Sequence, residues 1–312
     1  MARIRPINVQ ARRTGVLLAA GTAVISGIAI FVNGYGVRAW TEISDPTTYT
    51  ILKNGVAALI LLAVASVVAR RAGAARFDVS QARKHWLGLL LIAVVGGSIP
   101  FVLFFEGLAR ATSSDAAFIH KTLVVWVTVL AVSFLREKIG PLHIAALVLL
   151  IWGQVALSGG VGAIELGAGE SMILAATLLW AVETVIAKRV LGSVPPLTVG
   201  VARMAGGAVL LILYGVGRGA FAGVTGVTPE HIGWILFTGL TLSCYVATWF
   251  AALARAQAVD VTAVLVGGAI ITALLELGIR GAQLPPALGL VLVAVGVVAV
   301  GVAGWRRPAA TR

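Results

Sequence analysis

The chain has 312 residues, of which 59% are hydrophobic and only 12% charged, and its mean hydropathy is +1.01. So much apolar surface cannot be hidden in a water-soluble core of this size, so the excess faces lipid and a soluble globular protein is excluded. A formal net charge of +12 would point to nucleic acid in a soluble chain, but here the basic residues flank apolar runs, where anionic headgroups and topology account for them.

The first apolar run follows Arg3, Arg5, Arg12 and Arg13. It has no small-x-small cleavage site and further spans follow it, so it reads as a retained helix and not as a secretory signal. Ten runs are long enough to cross about 30 Å of hydrocarbon at roughly 20 residues each. They cover 14–37, 46–69, 85–108, 113–134, 141–158, 170–190, 197–217, 231–254, 259–279 and 285–304. Continuous apolar runs predict helices, because backbone groups in lipid must pair within their own segment, whereas a barrel would alternate polar and apolar residues. The longer connections are 70–83, 158–169 and 215–230, and the second of these separates two halves.

The halves are related by duplication. Leu108-Ala109-Arg110-Ala111 with Asp115 recurs as Leu253-Ala254-Arg255-Ala256 with Asp260. The same offset carries Arg136-Glu137-Lys138-Ile139-Gly140-Pro141 onto Gly281-Ala282-Gln283-Leu284-Pro285-Pro286. Lysines and arginines outside the spans fall 17 on the side of the N-terminus and 4 on the other, which predicts both termini in the cytoplasm of a plasma-membrane protein. Five spans per half is an odd number, so the second copy enters from the opposite side. The expected fold is an all-α membrane protein of ten transmembrane helices in two inverted five-helix repeats, 1–158 and 170–304, with a cytoplasmic tail at 305–312.

Two motifs carry a resemblance. Trp180-Ala181 followed by Lys188-Arg189, and the run Leu135-Arg136-Glu137-Lys138-Ile139, resemble the drug/metabolite transporter superfamily, specifically its EamA-type family. The resemblance implies a secondary carrier or exporter of an amino acid or similar metabolite, with a central cavity walled by helices 1, 3, 4, 6, 8 and 9. The chain departs from that pattern at Arg136, Ala282, Val124 and Glu183, and in the pair His120-Lys121.

Polar residues inside the spans are the functional candidates, since a mid-bilayer charge costs at least about 2.5–3.5 kcal/mol unless it is paired or wet. Glu183 lies some 20 Å into its helix, beyond easy reach of either interface. It is either a cavity carboxylate that binds a proton or cation, or a structural partner for a neighbouring helix. Lys121 either snorkels outward or holds a carboxylate or phosphate of a substrate. His120 is either packed and hydrogen-bonded or a proton relay. Glu183 and His120 are thus the candidates for coupling to a proton. Asn33, Tyr35, Trp126, Trp152, Trp180, Tyr245 and Trp249 are candidates for a hydrogen-bonding apolar cavity wall. Lys53 and Arg203, each seven residues after a proline (Pro46, Pro196), are expected to snorkel toward their helix starts. Glu106 with Arg110 and Glu276 with Arg280 are expected as i,i+4 pairs.

The single cysteine, Cys244, excludes an internal disulfide, and the scattered His85, His120, His143 and His231 show no metal spacing, so no metal or cofactor is implied. The expected partners are a small-molecule substrate, the lipid bilayer and a coupling proton, with no nucleic acid. An enzyme would need a catalytic set, and no Gly-x-Ser-x-Gly, His-Glu-x-x-His or P-loop motif occurs. A channel or non-transporting scaffold would share the composition, but inverted repeats with polar groups in one half only favour alternating access.

Overall fold

The structure, a computed structural model, describes residues 8–72, 79–108, 110–111, 113–157, 167–222, 224–283 and 285–306. Arg3, Arg5, Arg76, Leu284, most of the connection between the halves and the tail beyond 306 lie outside the described residues, as does the side chain of Asp115.

Ten long helices follow one another among the described residues. They are α1 (Val9–Thr41), α2 (Pro46–Ala72), α3 (Trp86–Leu108), α4 (113–135), α5 (Pro141–Leu157), α6 (Ala168–Val190), α7 (Pro196–Arg218), α8 (Pro229–Leu253), α9 (Ala258–Arg280) and α10 (Ala287–Arg306). A one-turn helix, Val79–Lys84, precedes α3, and no strand occurs among the described residues. Among the described residues nine helices are long and apolar enough to span a bilayer, while α5 has 17 residues. Proline opens α2, α5, α7 and α8, where its missing N–H would have been unbonded anyway. Asn8 caps α1, its side chain accepting from the Ala11 amide at 2.6 Å.

The Arg13 guanidinium lies 4.9 Å over the Trp305 ring, so both ends of the described chain share one face, called here the terminal face. The opposite face is the distal face. Packing repeats with inverted sense: α1 lies along α8 as α6 lies along α3, α2 meets α8 as α7 meets α3, and α5 pairs with α10 and α4 with α9 across the pseudo-two-fold axis. Side chains such as Leu59, Leu213, Val216, Ile279, Leu288 and Val298 remain more than half exposed, which is what a lipid-facing surface requires.

Close approach at the centre depends on glycine. A Cβ on Gly97 of α3 would fall 2.1 Å from the Arg203 carbonyl of α7, and one on Gly207 would fall 2.4 Å from the Gly97 carbonyl. Gly27 of α1 and Gly268 of α9 meet in the same way. Small residues at helix interfaces let backbones touch where lipid supplies no hydrophobic drive for association.

Candidate functional site

Both axial helices break near their middles. In α4 the Thr122 amide reaches only three residues back, to Ile119 O at 3.1 Å, and its hydroxyl donates to the same carbonyl at 2.6 Å. In α9 the amides of Val266 and Gly267 also reach three back, to Ala263 O at 3.2 Å and Val264 O at 3.0 Å. The offset that relates Asp115 to Asp260 relates Thr122 to Gly267. The breaks are therefore symmetry mates, and local tightening of this kind kinks a helix.

A cavity of about 40 Å³ lies between the breaks, lined by the polar His120, Lys121, Tyr245, Ser26 and Thr262 and by the apolar Leu123, Val124, Leu265 and Val266. Three candidates thus come together: His120, Lys121 and Tyr245. His120 Nδ1 is buried with no partner. The Lys121 ammonium makes no hydrogen bond or ion pair with the described residues. Trp249 stacks behind Tyr245, with ring centroids 6.0 Å apart and planes 10° apart. Trp180 meets His120 edge-on at 5.2 Å and donates its indole N–H to Gly96 O at 3.1 Å.

Glu183 does not line this cavity. It is buried against Gly96, whose Cβ, if present, would fall 2.2 Å from the carboxyl carbon, and Arg203 Nε donates to its Oε1 at 2.6 Å. Arg203 therefore does not snorkel; pairing inside the protein satisfies both charges where water is absent. Lys53 does not snorkel either. Its Nζ donates to Asn33 Oδ1 at 2.8 Å and sits 4.2 Å over the Phe105 ring, and the Tyr49 hydroxyl donates to the same Asn33 oxygen at 2.9 Å. Pro46 and Pro196, Lys53 and Arg203, and Asn33 and Glu183 share one offset. The two pairs are inverted-repeat mates, near the distal and the terminal end of the core respectively. Each of the four residues stands out in the sequence as a polar group at depth, but an asparagine aligned with a glutamate carries no charge signal that would pair them.

Tyr35 and Trp126 lie elsewhere. Tyr35 stacks on Trp234 (5.6 Å, 6°) and accepts from Arg280 Nε at 2.9 Å. It faces a separate distal cavity of about 280 Å³ with Arg38, Glu42, Glu230 and His231. Trp126 is 36% exposed and donates to the Thr122 hydroxyl at 3.1 Å, and Trp152 is 61% exposed on α5. Both expected i,i+4 pairs are present, Arg110 to Glu106 at 2.8 Å and Arg280 to Glu276 at 3.0 Å. Glu106 also accepts from Arg218 at 2.7 Å and from the Thr47 hydroxyl at 2.8 Å.

The terminal face is sealed by a polar cluster that sequence reasoning missed. The left-handed Arg136 (φ 56°) ends α4 and turns Glu137 onto the start of α9, where it accepts from the amides of Ala258 at 2.8 Å and Val259 at 3.1 Å. Lys188 donates to the carbonyls of Leu253 and Ala256 at the end of α8. His143 Nε2 lies 3.0 Å from Asp260 Oδ1. Burial pushes the Glu137 carboxyl above the usual carboxylate range, against the pull of Lys188 and the two amides. Every residue from Ala258 to Leu265 is buried, whereas α9 beyond Gly268 is largely half-exposed. The packed end of the cavity is the terminal one.

Ten membrane helices in two inverted repeats, kinked around a polar cavity at the symmetry axis, define the class of inverted-repeat transporters. The model of the EamA-like transporter family matches residues 13–159 and 167–302. The chain belongs to the EamA-like transporter family, within the drug/metabolite transporter superfamily. No curated protein matches it. A solved structure described as "Crystal structure of protein" is similar, with a TM-score of 0.74 and 16% identity over 95% of this chain and 100% of that one, a likeness of fold alone.

Proposed function

We propose that this chain carries a small organic metabolite, an amino acid or a molecule of similar size, out of the cell by alternating access. The observation that carries this reading is the cavity between the paired breaks of α4 and α9, where an unpartnered Lys121 and an orphaned His120 nitrogen meet hydroxyls of Ser26 and Thr262. A buried polar group without a partner costs stability, and a ligand that supplies the partner recovers that cost. Lys121 is the ligand for the anionic group of the substrate. His120 handles the coupling proton.

The repeats are taken as 1–158 and 170–304, with the terminal face and the 305–312 tail in the cytoplasm of the plasma membrane, from the lysine and arginine count. In that orientation the sealed cluster of Glu137, Lys188, His143 and Asp260 closes the cytoplasmic side, and the state is outward-facing. The test is uptake into proteoliposomes of a panel of amino acids, organic acids and organic cations, with and without a pH gradient. Saturable flux should appear, and Lys121→Met should lower it at least tenfold; His120→Gln should flatten its response to the gradient. Ion conductance without saturable solute flux would replace this reading by a channel.

A further inference from the structure

Between the sealed terminal cluster and the distal ion pairs, four charged side chains lie within the spans among the described residues: Lys53, Lys121, Arg203 and Glu183. Only one cation is neutralised. Arg203 is bound to Glu183, whereas its repeat mate Lys53 is bound to an uncharged amide because Asn33 occupies the position of Glu183. Lys121 faces the cavity with no partner, and no carboxylate lines that cavity among the described residues. Glu106 and Glu276 lie toward the distal ends of their helices and are occupied by Arg110 with Arg218 and by Arg280.

Lys53 is connected to the cavity through a chain of rings packed edge to face. Its ammonium lies over Phe105, Phe105 is 5.5 Å from Phe104, and Phe104 is 5.2 Å from His120, which lines the cavity. Charges separated by packed rings and not by water are weakly screened. The cavity therefore sits beside two lysines that no carboxylate neutralises among the described residues.

Resting on the carrier reading above and narrowing its substrate to metabolites of net negative charge, we propose that the field of these lysines selects the substrate's charge: the carrier takes a small organic anion, held by Lys121 through a carboxylate or phosphate, and Asn33 sets that selectivity by leaving Lys53 unneutralised. A zwitterion or cation would bring an ammonium into a cavity that has two like charges near it and no carboxylate to receive it. A cavity of about 40 Å³ has room for about three water-sized probes at roughly 10–15 Å³ each, so the group bound at the breaks is of carboxylate size. The inverted-repeat pair in the second half shows what full compensation looks like, and the first half withholds it by one substitution.

The test is the thermal stability of the detergent-solubilised full chain at constant ionic strength, titrated with lactate, inorganic phosphate, alanine or choline. The wild type should show a saturable rise in Tm with lactate or phosphate, whichever headgroup the cavity accepts, and none with alanine or choline. Lys121→Met should abolish the rise. Asn33→Asp, which places a carboxylate on Lys53, should raise the half-saturating anion concentration severalfold, because a nearby charge in a poorly screened interior is neutralised. Lys53→Met should do the same, so the result does not hang on one variant folding well. A rise with alanine or choline and none with either anion overturns the proposal. So does an anion response that survives both Asn33→Asp and Lys53→Met unchanged, and so does no response to any probe. An intact anion response in protein that gives no solute flux in liposomes would instead overturn the carrier reading and leave the anion site standing.

Discussion

Glu183 shows how a single residue's role depends on its partner. At its depth a lone carboxylate would be strongly destabilising, and Arg203 at 2.6 Å compensates it. The two should therefore behave as a unit. Arg203→Met alone leaves a buried unpaired carboxylate and is expected to cost about 3–5 kcal/mol of stability. Adding Glu183→Gln to it should restore much of that loss, because the remaining groups are both neutral. Thermal melts of the two single variants and the double variant give the coupling as a cycle. Additive losses would mean that the pair is not a compensated unit.

At the scale of the helix, the α3–α7 contact rests on backbone touching backbone. Gly97→Ala places a methyl group 2.1 Å from the Arg203 carbonyl, so α7 must move, and Arg203 with it. A loss of about 1–3 kcal/mol is expected, the usual range for overpacking. Gly21→Ala on α1 is the matched control, since nothing lies within 4 Å of its added Cβ. It should be neutral or stabilising by up to about 1 kcal/mol through helix propensity. Equal melting temperatures for the two variants would remove the close-contact explanation for the paired glycines. The same scale explains the cavity: α4 and α9 each tighten their bonding for one turn at positions related by the repeat offset, and the space lies where the two kinks face one another.

For the whole molecule, the terminal cluster joins the two repeats, since Glu137 belongs to the first and the α9 amides it caps belong to the second. When that face is closed, Glu137 is out of water and its carboxyl is raised; when the face opens it is wet and returns toward its ordinary value. A group that binds its proton more tightly in the closed form favours that form as the proton is added. Lowering the pH through the raised value should therefore shift the protein toward closure of the terminal face, and raising it should release that contribution. The check is the labelling rate of a cysteine placed at Ala254 in a Cys244→Ser background. Labelling should slow as the pH falls, and Glu137→Gln should flatten the profile. A profile unchanged by Glu137→Gln would overturn the assignment of the pH response to Glu137.

How much of this was legible follows the same division. The number of spans, the helical class and the duplication can be read along the chain, because hydrophobic run length and a recurring offset such as that of Leu-Ala-Arg-Ala are local properties that need no knowledge of packing. The i,i+4 partners of Glu106 and Glu276 were readable for the same reason, one helical turn being a fixed distance. His120, Lys121 and Tyr245 were singled out as polar or amphipathic residues at depth, yet the sequence left open whether they meet. Only tertiary structure decided that Glu183 belongs to Arg203 and not to the cavity, that Lys53 turns inward to Asn33, and that Glu137 closes the terminal face. These depend on which helix lies alongside which, and on glycines that let backbones touch. The energy of a buried charge is set by whatever stands a few ångströms away in space, and along the chain that neighbour can be 20 residues distant, as for Arg203 and Glu183, or 121, as for Ala258 and Glu137.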